Sequence, residues 1–200
     1  MTLTGPRDIA EVDPASLADR MDLGSMLVPS IPGLQVQVQA DQKSGTITQV
    51  TFALPGGAVQ VQPYAAPRSG GLWEDVRGQL MTSINASGGL VEERQGEFGT
   101  EIHAQVKAEN GALQPARFVG VEGPRWFVRG VFIGAAARDP EAAKPLEEAF
   151  REVVVIRGDA ALPVGAPLPL TMPNAAPNAA PEPTPQPSPF VRGPEITETR

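Results

Sequence analysis

Hydrophobic and polar positions alternate with a period of two over much of the chain and switch to a three-to-four spacing in two places. The clearest alternation runs through Leu34–Ala40, where Leu34, Val36 and Val38 fall on one side and Gln35, Gln37 and Gln39 on the other. That is the pattern of a half-buried antiparallel strand. Asp41–Gly45 reads as its turn. Thr46–Leu54 then places Val50, Phe52 and Leu54 on one face, Pro55-Gly56-Gly57 breaks the run, and Ala58–Tyr64 forms a third strand. Leu90–Arg94 and Thr100–Lys107 repeat the pattern, the second with Ile102, Ala104 and Val106 inward. Glu109-Asn110-Gly111 is a hairpin turn, since Asn-Gly readily adopts positive φ.

The densest apolar stretch is Arg117–Gly134, around which the other strands are organised. Its arms, Ala116–Val121 and Arg125–Ile133, flank Glu122-Gly123-Pro124, where Gly123 tolerates positive φ and Pro124 has no N–H for a ladder. Alternation sends Trp126, Val128, Gly130 and Phe132 one way, toward the core. Arg125, Phe127, Arg129, Val131 and Ile133 go the other way, with the Arg end solvated and the Val/Ile end covered. Gly130 marks a bulge or the close approach of a helix.

Helical spacing appears twice. Trp73, Val76, Leu80 and Ile84, widened by Leu72 and Met81, define a helix from Leu72 to about Ala86, ended by Gly88-Gly89. A second starts at Asp139-Pro140-Glu141, an N-cap followed by proline, with Leu146, Ala149, Phe150 and Val153 on its apolar face. Pro145 is expected to kink or restart it. Val153–Arg157 reads as a terminal strand. Near the start, Asp13-Pro14 opens a turn or two, and Met21–Pro29 is an apolar lead-in packed on the domain.

These elements predict an α+β domain: a single antiparallel sheet of about six to seven strands, its apolar side roofed by two main helices and its other side free for contact. The expected boundaries are a flexible extension over residues 1–20, the domain over 21–160, and a Pro/Ala-rich disordered tail over 161–200. Half of the prolines lie after residue 162. The tail includes the repeat Pro173-Asn-Ala-Ala-Pro-Asn-Ala-Ala-Pro181 and ends in a short peptide with Phe190, Val191 and Ile196.

Several phrases taken together resemble an uncharacterised actinobacterial family, the domain of unknown function 3710. They are Met21-Asp-Leu-Gly-Ser-Met-Leu-Val-Pro, Ala65-Ala-Pro-Arg-Ser-Gly-Gly-Leu-Trp, Gly96-Glu-Phe-Gly-Thr-Glu, and the hairpin Gly123-Pro-Arg-Trp-Phe-Val-Arg-Gly-Val-Phe followed by Asp139-Pro-Glu. The resemblance covers roughly residues 20–170 and implies a high-GC Gram-positive source, but no chemistry. Separately, the element order β-β-β-α-β-β-β-β-α is similar to sandwiches of the PsbP and Mog-one type.

Composition narrows the chemistry. With no Cys, thiolate metal sites, thiol nucleophiles and disulfides are excluded. A formal net charge of −7 disfavours phosphate backbones and anionic membranes. No apolar run approaches the roughly 20 residues of a membrane-spanning helix, and residues 1–8 lack the basic start and apolar stretch of a secretory signal. A cytoplasmic setting is expected. The one histidine, His103, shares a strand face with Glu101, which reads as a solvated polar pair. No second histidine completes a metal site, and no cofactor is implied.

Four arginines are candidates for an anion or small ligand. Arg68 stands beside Ser69-Gly70-Gly71 at a helix start, whose N–H groups could cradle an anion. Arg125 and Arg129 share a face with Phe127, and Arg117 comes from the partner arm. Pairing with Glu101, Glu122 or the acidic last helix is their simpler explanation. The leading expectation is therefore a non-enzymatic module that binds another protein. The alternative is an anion-binding or small-ligand domain using these arginines, and third comes a hydrolase built on Glu101 and His103.

Overall fold

The computed structural model describes residues 5–40, 47–108 and 110–172. The Asp41–Gly45 turn, Glu109 of the Asn-Gly turn and the repeat and terminal peptide of the expected tail lie outside the described residues. The elements in chain order are β1 (Arg7–Asp8), β2 (Met21–Asp22), β3 (Met26–Val28), β4 (Gln35–Ala40), β5 (Ile47–Leu54), β6 (Gly57–Ala65), α1 (Leu72–Ala86), β7 (Leu90–Gly96), β8 (Gly99–Lys107), β9 (Leu113–Gly123), β10 (Trp126–Gly134), α2 (Pro140–Arg151) and β11 (Val154–Val155).

The chain is α+β. Two antiparallel meanders, β4-β5-β6 and β7-β8-β9-β10, are joined by α1 and close where β10 pairs with β6, giving the seven-stranded order β4-β5-β6-β10-β9-β8-β7. A smaller four-stranded sheet, β1-β11-β3-β2, lies beside it, with β1 parallel to β11. Short connections make the meanders. Pro55-Gly56 turns β5 into β6 with Gly56 at φ +101°, and Gly111 takes φ +79° between β8 and β9 while the Asn110 side chain accepts from Ala112 N–H.

The helices lie on opposite faces of the large sheet, not both on one as alternation suggested. Trp126, Val128 and Phe132 pack with α2 through Leu146, Ala149 and Phe150, together with Leu23, Met26 and Val28. On the other face, Phe127, Ile102 and Ala104 pack with Trp73 and Ile84 of α1. Pairing explains the split. Ile102 stands opposite Phe118, and Phe118 opposite Val131, so the "inward" set of β8 shares a face with Phe127 rather than with Trp126. Trp126, Val128 and Phe132 face the core as expected, but for the other side of β10 the expectation is reversed: Phe127, at the Arg end, is 1% exposed under α1, whereas Val131 and Ile133 are half-open.

Glycines set the spacing between layers. A Cβ on Gly130 would lie 2.9 Å from the Phe150 ring, so Gly130 marks the close approach of α2. A Cβ on Gly120 would run into Trp73, and one on Gly123 into the Trp126 indole. Gly123 is therefore needed for room, and the positive φ of this turn falls on Arg125, at +65°. Proline followed by a residue of positive φ is the arrangement of a type II turn.

Asp139 caps α2 by accepting from Glu141 N–H, as expected, and α2 is continuous through Pro145. Pro145 is exposed, so the carbonyl it leaves without a helical donor can face water. Two boundary expectations fail for a common reason. Asp8 is only 9% exposed: its carboxylate accepts from Trp126 Nε1 at 2.7 Å and from Ala10 N–H, so residues 5–20 are tied to the core rather than a flexible extension. At the other end Leu168 and Leu170 are buried, with Leu168 N–H donating to the Pro63 carbonyl and Thr171 N–H to that of Leu23. Proline-rich composition reads as disorder, yet a few aliphatic residues among the prolines suffice to dock on an open strand end.

Candidate functional site

Alternation along β8 puts Glu101 and His103 on the α2 side, and strand register sets His103 opposite Arg117 of β9. The expected solvated pair is instead part of a buried ion network. Glu101 is 2% exposed; its Oε2 lies 2.9 Å from Arg117 Nε, and its Oε1 accepts from Phe98 N–H at 3.4 Å. Arg117 also pairs with Glu147 of α2, and its guanidinium lies 4.5 Å from the centre of the Phe132 ring. Gly96 leaves the space that the Glu101 carboxylate fills. The polarity of β8 concealed this burial because the compensating charges come from another strand and from a helix. Pairing of Arg117 with Glu101 and with the last helix matches the simpler explanation weighed for it.

His103 Nε2 is 3.6 Å from Glu101 Oε2, but that oxygen is already engaged by Arg117, so the carboxylate is not free to orient the imidazole as a base. His103 borders an open cleft of about 510 Å³ with Glu92, Arg94, Gln105, Arg117 and Arg138. Burial, then the charges of Arg94 and Arg117, hold the His103 pKa below its ordinary 6.5. Burial pushes Glu101 up from 4.5, opposed chiefly by Arg117. The signs differ. The stability contributed by neutral His103 is present above 6.5 and is lost as pH falls through its lowered value. That contributed by protonated Glu101 is present below 4.5 and is lost as pH rises through its raised value. His103→Gln is thus expected to flatten the loss of stability as pH falls below 6.5. Urea midpoints of the two proteins across that range check it, and equal slopes would exclude the histidine as the source.

The four arginines are not brought together. Arg68 is exposed in the loop before α1, and the anion cradle beside it is filled from within the chain. The N–H groups of Gly71, Leu72 and Trp73 donate to the Glu122 carboxylate, at 3.1, 2.6 and 3.2 Å. The N-cap, Gly71, has no side chain to do this, so the β9–β10 turn supplies a long-range cap. Glu122→Ala should cost about 1–2 kcal/mol, in the range of losing a cap. It should also create an anion site that the wild type lacks. In a thermal melt, sulfate should therefore stabilise the variant and leave the wild type unchanged.

Arg125 sits in the turn rather than on the strand, and its carbonyl accepts from Ala66 N–H and Arg157 Nε, at 2.9 and 3.0 Å. Arg117 faces α2, whereas Arg129 faces the α1 side. Arg129 is half-buried and, among the described residues, pairs with no carboxylate. Its Nη2 reaches Gln62 Oε1 at 3.3 Å, its guanidinium lies 5.4 Å from the Tyr64 ring, and its buried Nε has no hydrogen-bond partner among the described residues.

Arg129 stands between two depressions on the α1 face. One is a trough of about 610 Å³ floored by Val106, Phe118, Val131 and Ile133, with Arg129 and Arg138 at its sides. The other is a hollow of about 280 Å³ under α1, lined by Tyr64, Leu72, Val76, Leu80 and Phe127 as well as Arg129. Sequence reasoning missed Tyr64 and Arg138. Tyr64 is the one tyrosine and ends a strand beside Pro63, and Arg138 precedes a helix cap, so neither position carried a signal without the neighbours that pairing supplies.

No curated protein matches the chain in sequence. Among solved structures, cyanobacterial PsbP (CyanoP) from Synechocystis sp. PCC 6803 is similar with a TM-score of 0.43 and 11% identity, over 74% of this chain and 99% of that one, a likeness that carries no argument about the site. A family model described as Protein of unknown function (DUF3710) matches residues 5–179, spanning the sheets, both helices and every candidate residue above. This chain belongs to that family.

Proposed function

We propose that the domain is a non-enzymatic binding module whose partner is another protein, met along the open part of the sheet on the α1 side. The trough carries this reading. Its floor is half-exposed aliphatic and aromatic sheet, a surface that gains free energy when covered. The two cations at its sides, Arg129 and Arg138, form no ion pair among the described residues. An extended partner segment bearing aliphatic side chains and carboxylates fits both features, and the chain's net charge of −7 argues against nucleic acid in the same place. The one acid/base pair on offer, Glu101 with His103, is tied into the ion network, which supports a binding role over a hydrolytic one.

A photo-crosslinking residue at Ile133, with another at Gln37 on the outward side of the far edge strand, tests the proposal in cells that make the protein. One protein partner should crosslink at Ile133 and not at Gln37, and Val131→Glu should abolish the adduct. Equal crosslinking at both positions, or none at Ile133, would overturn it.

A further inference from the structure

We propose that the hollow under α1 is a site for a small amphipathic carboxylate, its headgroup on Arg129 and its hydrocarbon body against Leu72, Val76, Leu80 and Phe127. This is a second ligand, distinct from the protein partner of the trough. Arg129 is a half-buried charge held at a cost. A half-buried guanidinium whose terminal nitrogens meet no carboxylate among the described residues is stabilised when an anion reaches them from the hollow. The local groups cannot do so. Gln62 Oε1 is shared, since Tyr64 Oη donates to it at 2.6 Å while Arg129 approaches at 3.3 Å. Tyr64 offers no negative charge either, because burial raises its pKa above the ordinary 10.0 despite the neighbouring Arg129.

The rest of the hollow is apolar and comes from one helical stripe. Leu72, Val76 and Leu80 recur at every fourth residue of α1, and all three are half-buried, whereas Trp73 and Ile84 are packed into the sheet. The stripe is thus wider than the sheet covers, and Phe127, stacked between Tyr64 and Trp73 with ring centres 5.8 and 5.7 Å away, forms the floor. A volume of about 280 Å³ corresponds to roughly nine water-sized portions of about 30 Å³. That suits a molecule of roughly eight to ten non-hydrogen atoms. One guanidinium can neutralise a monoanion in the two-pronged geometry that carboxylates favour. A phosphate dianion would keep uncompensated charge, because the helix N-terminus that could assist is occupied by Glu122.

Sodium octanoate, 1-octanol and inorganic phosphate, each titrated calorimetrically into the full chain, test the assignment. Octanoate should bind saturably in the millimolar range or tighter, with octanol on the order of tenfold weaker and phosphate silent. Arg129→Gln should weaken octanoate by a similar factor without lowering the unliganded Tm. Val76→Trp, which fills the hollow from the exposed side of α1, should abolish binding with the far-UV spectrum intact. No octanoate binding, equal binding of octanol, or unchanged binding by Arg129→Gln would each overturn the proposal. Val106→Glu, at the end of the trough remote from Arg129, should leave octanoate binding unchanged while abolishing the protein adduct, so the two readings fail separately.

Discussion

An Arg117→Met variant is expected to lose about 3–5 kcal/mol, because it strands a buried carboxylate. Glu101 is 2% exposed and takes its main compensating charge from Arg117 Nε; Glu147, the second carboxylate on that guanidinium, has only 13% of its side chain exposed. Marginal stability of about 5–15 kcal/mol makes such a loss a large share of the total. Removing the whole network is a different matter. A triple variant, Glu101→Met, Arg117→Met and Glu147→Leu, should recover most of the loss, since taking three groups out of water costs nearly as much as their attraction returns. The Arg117→Met defect should also shrink toward acid pH, where Glu101 protonates, its pKa already being raised by burial. Urea unfolding of the three proteins at pH 7 and at about pH 5 checks the pattern. A triple variant as unstable as the single one would show that shape, rather than charge, sets the cost.

Phe150→Ala is the other large effect, again about 3–5 kcal/mol. Its ring is fully buried, edge-on to Phe98 and Phe132 at 5.1 and 6.2 Å, and it lies over Gly130, so it holds α2 to the centre of the sheet. Gly130→Ala should itself cost about 1–3 kcal/mol by pushing into that ring and into Val119. The double variant should cost less than the sum by on the order of 1 kcal/mol, because the added methyl occupies part of the space the ring vacates. Additivity in a double-mutant cycle would mean that α2 shifts away from the sheet rather than resting on Gly130.

Much of this architecture was legible in the chain. The alternations of β4 and β5, the Asp139-Pro140 cap, the extent of α1 and the existence of the central hairpin stand as read. Those are local signals, in which each residue's neighbours along the chain decide its conformation. The unread features each depend on residues far apart. Glu101 and His103 looked solvated because neither Arg117 nor Glu147 is near them in sequence. The Ser69-Gly70-Gly71 loop looked open to an anion because its carboxylate, Glu122, lies 50 residues downstream of Leu72. Arg125 and Arg129 looked alike, but only Arg129 lies on the strand, since the turn takes Arg125 at positive φ.

The amino-acid order by itself determined the strands, the helices and their ends, since backbone preference and the spacing of apolar residues act over one or two turns of chain. Only the tertiary structure decided which face each strand presents, which charges are buried together, and where Arg129 is left without a counter-ion among the described residues. A period of two separates the two sides of a strand without saying which side will meet α1 and which will meet α2; that choice is made by cross-strand register and helix packing.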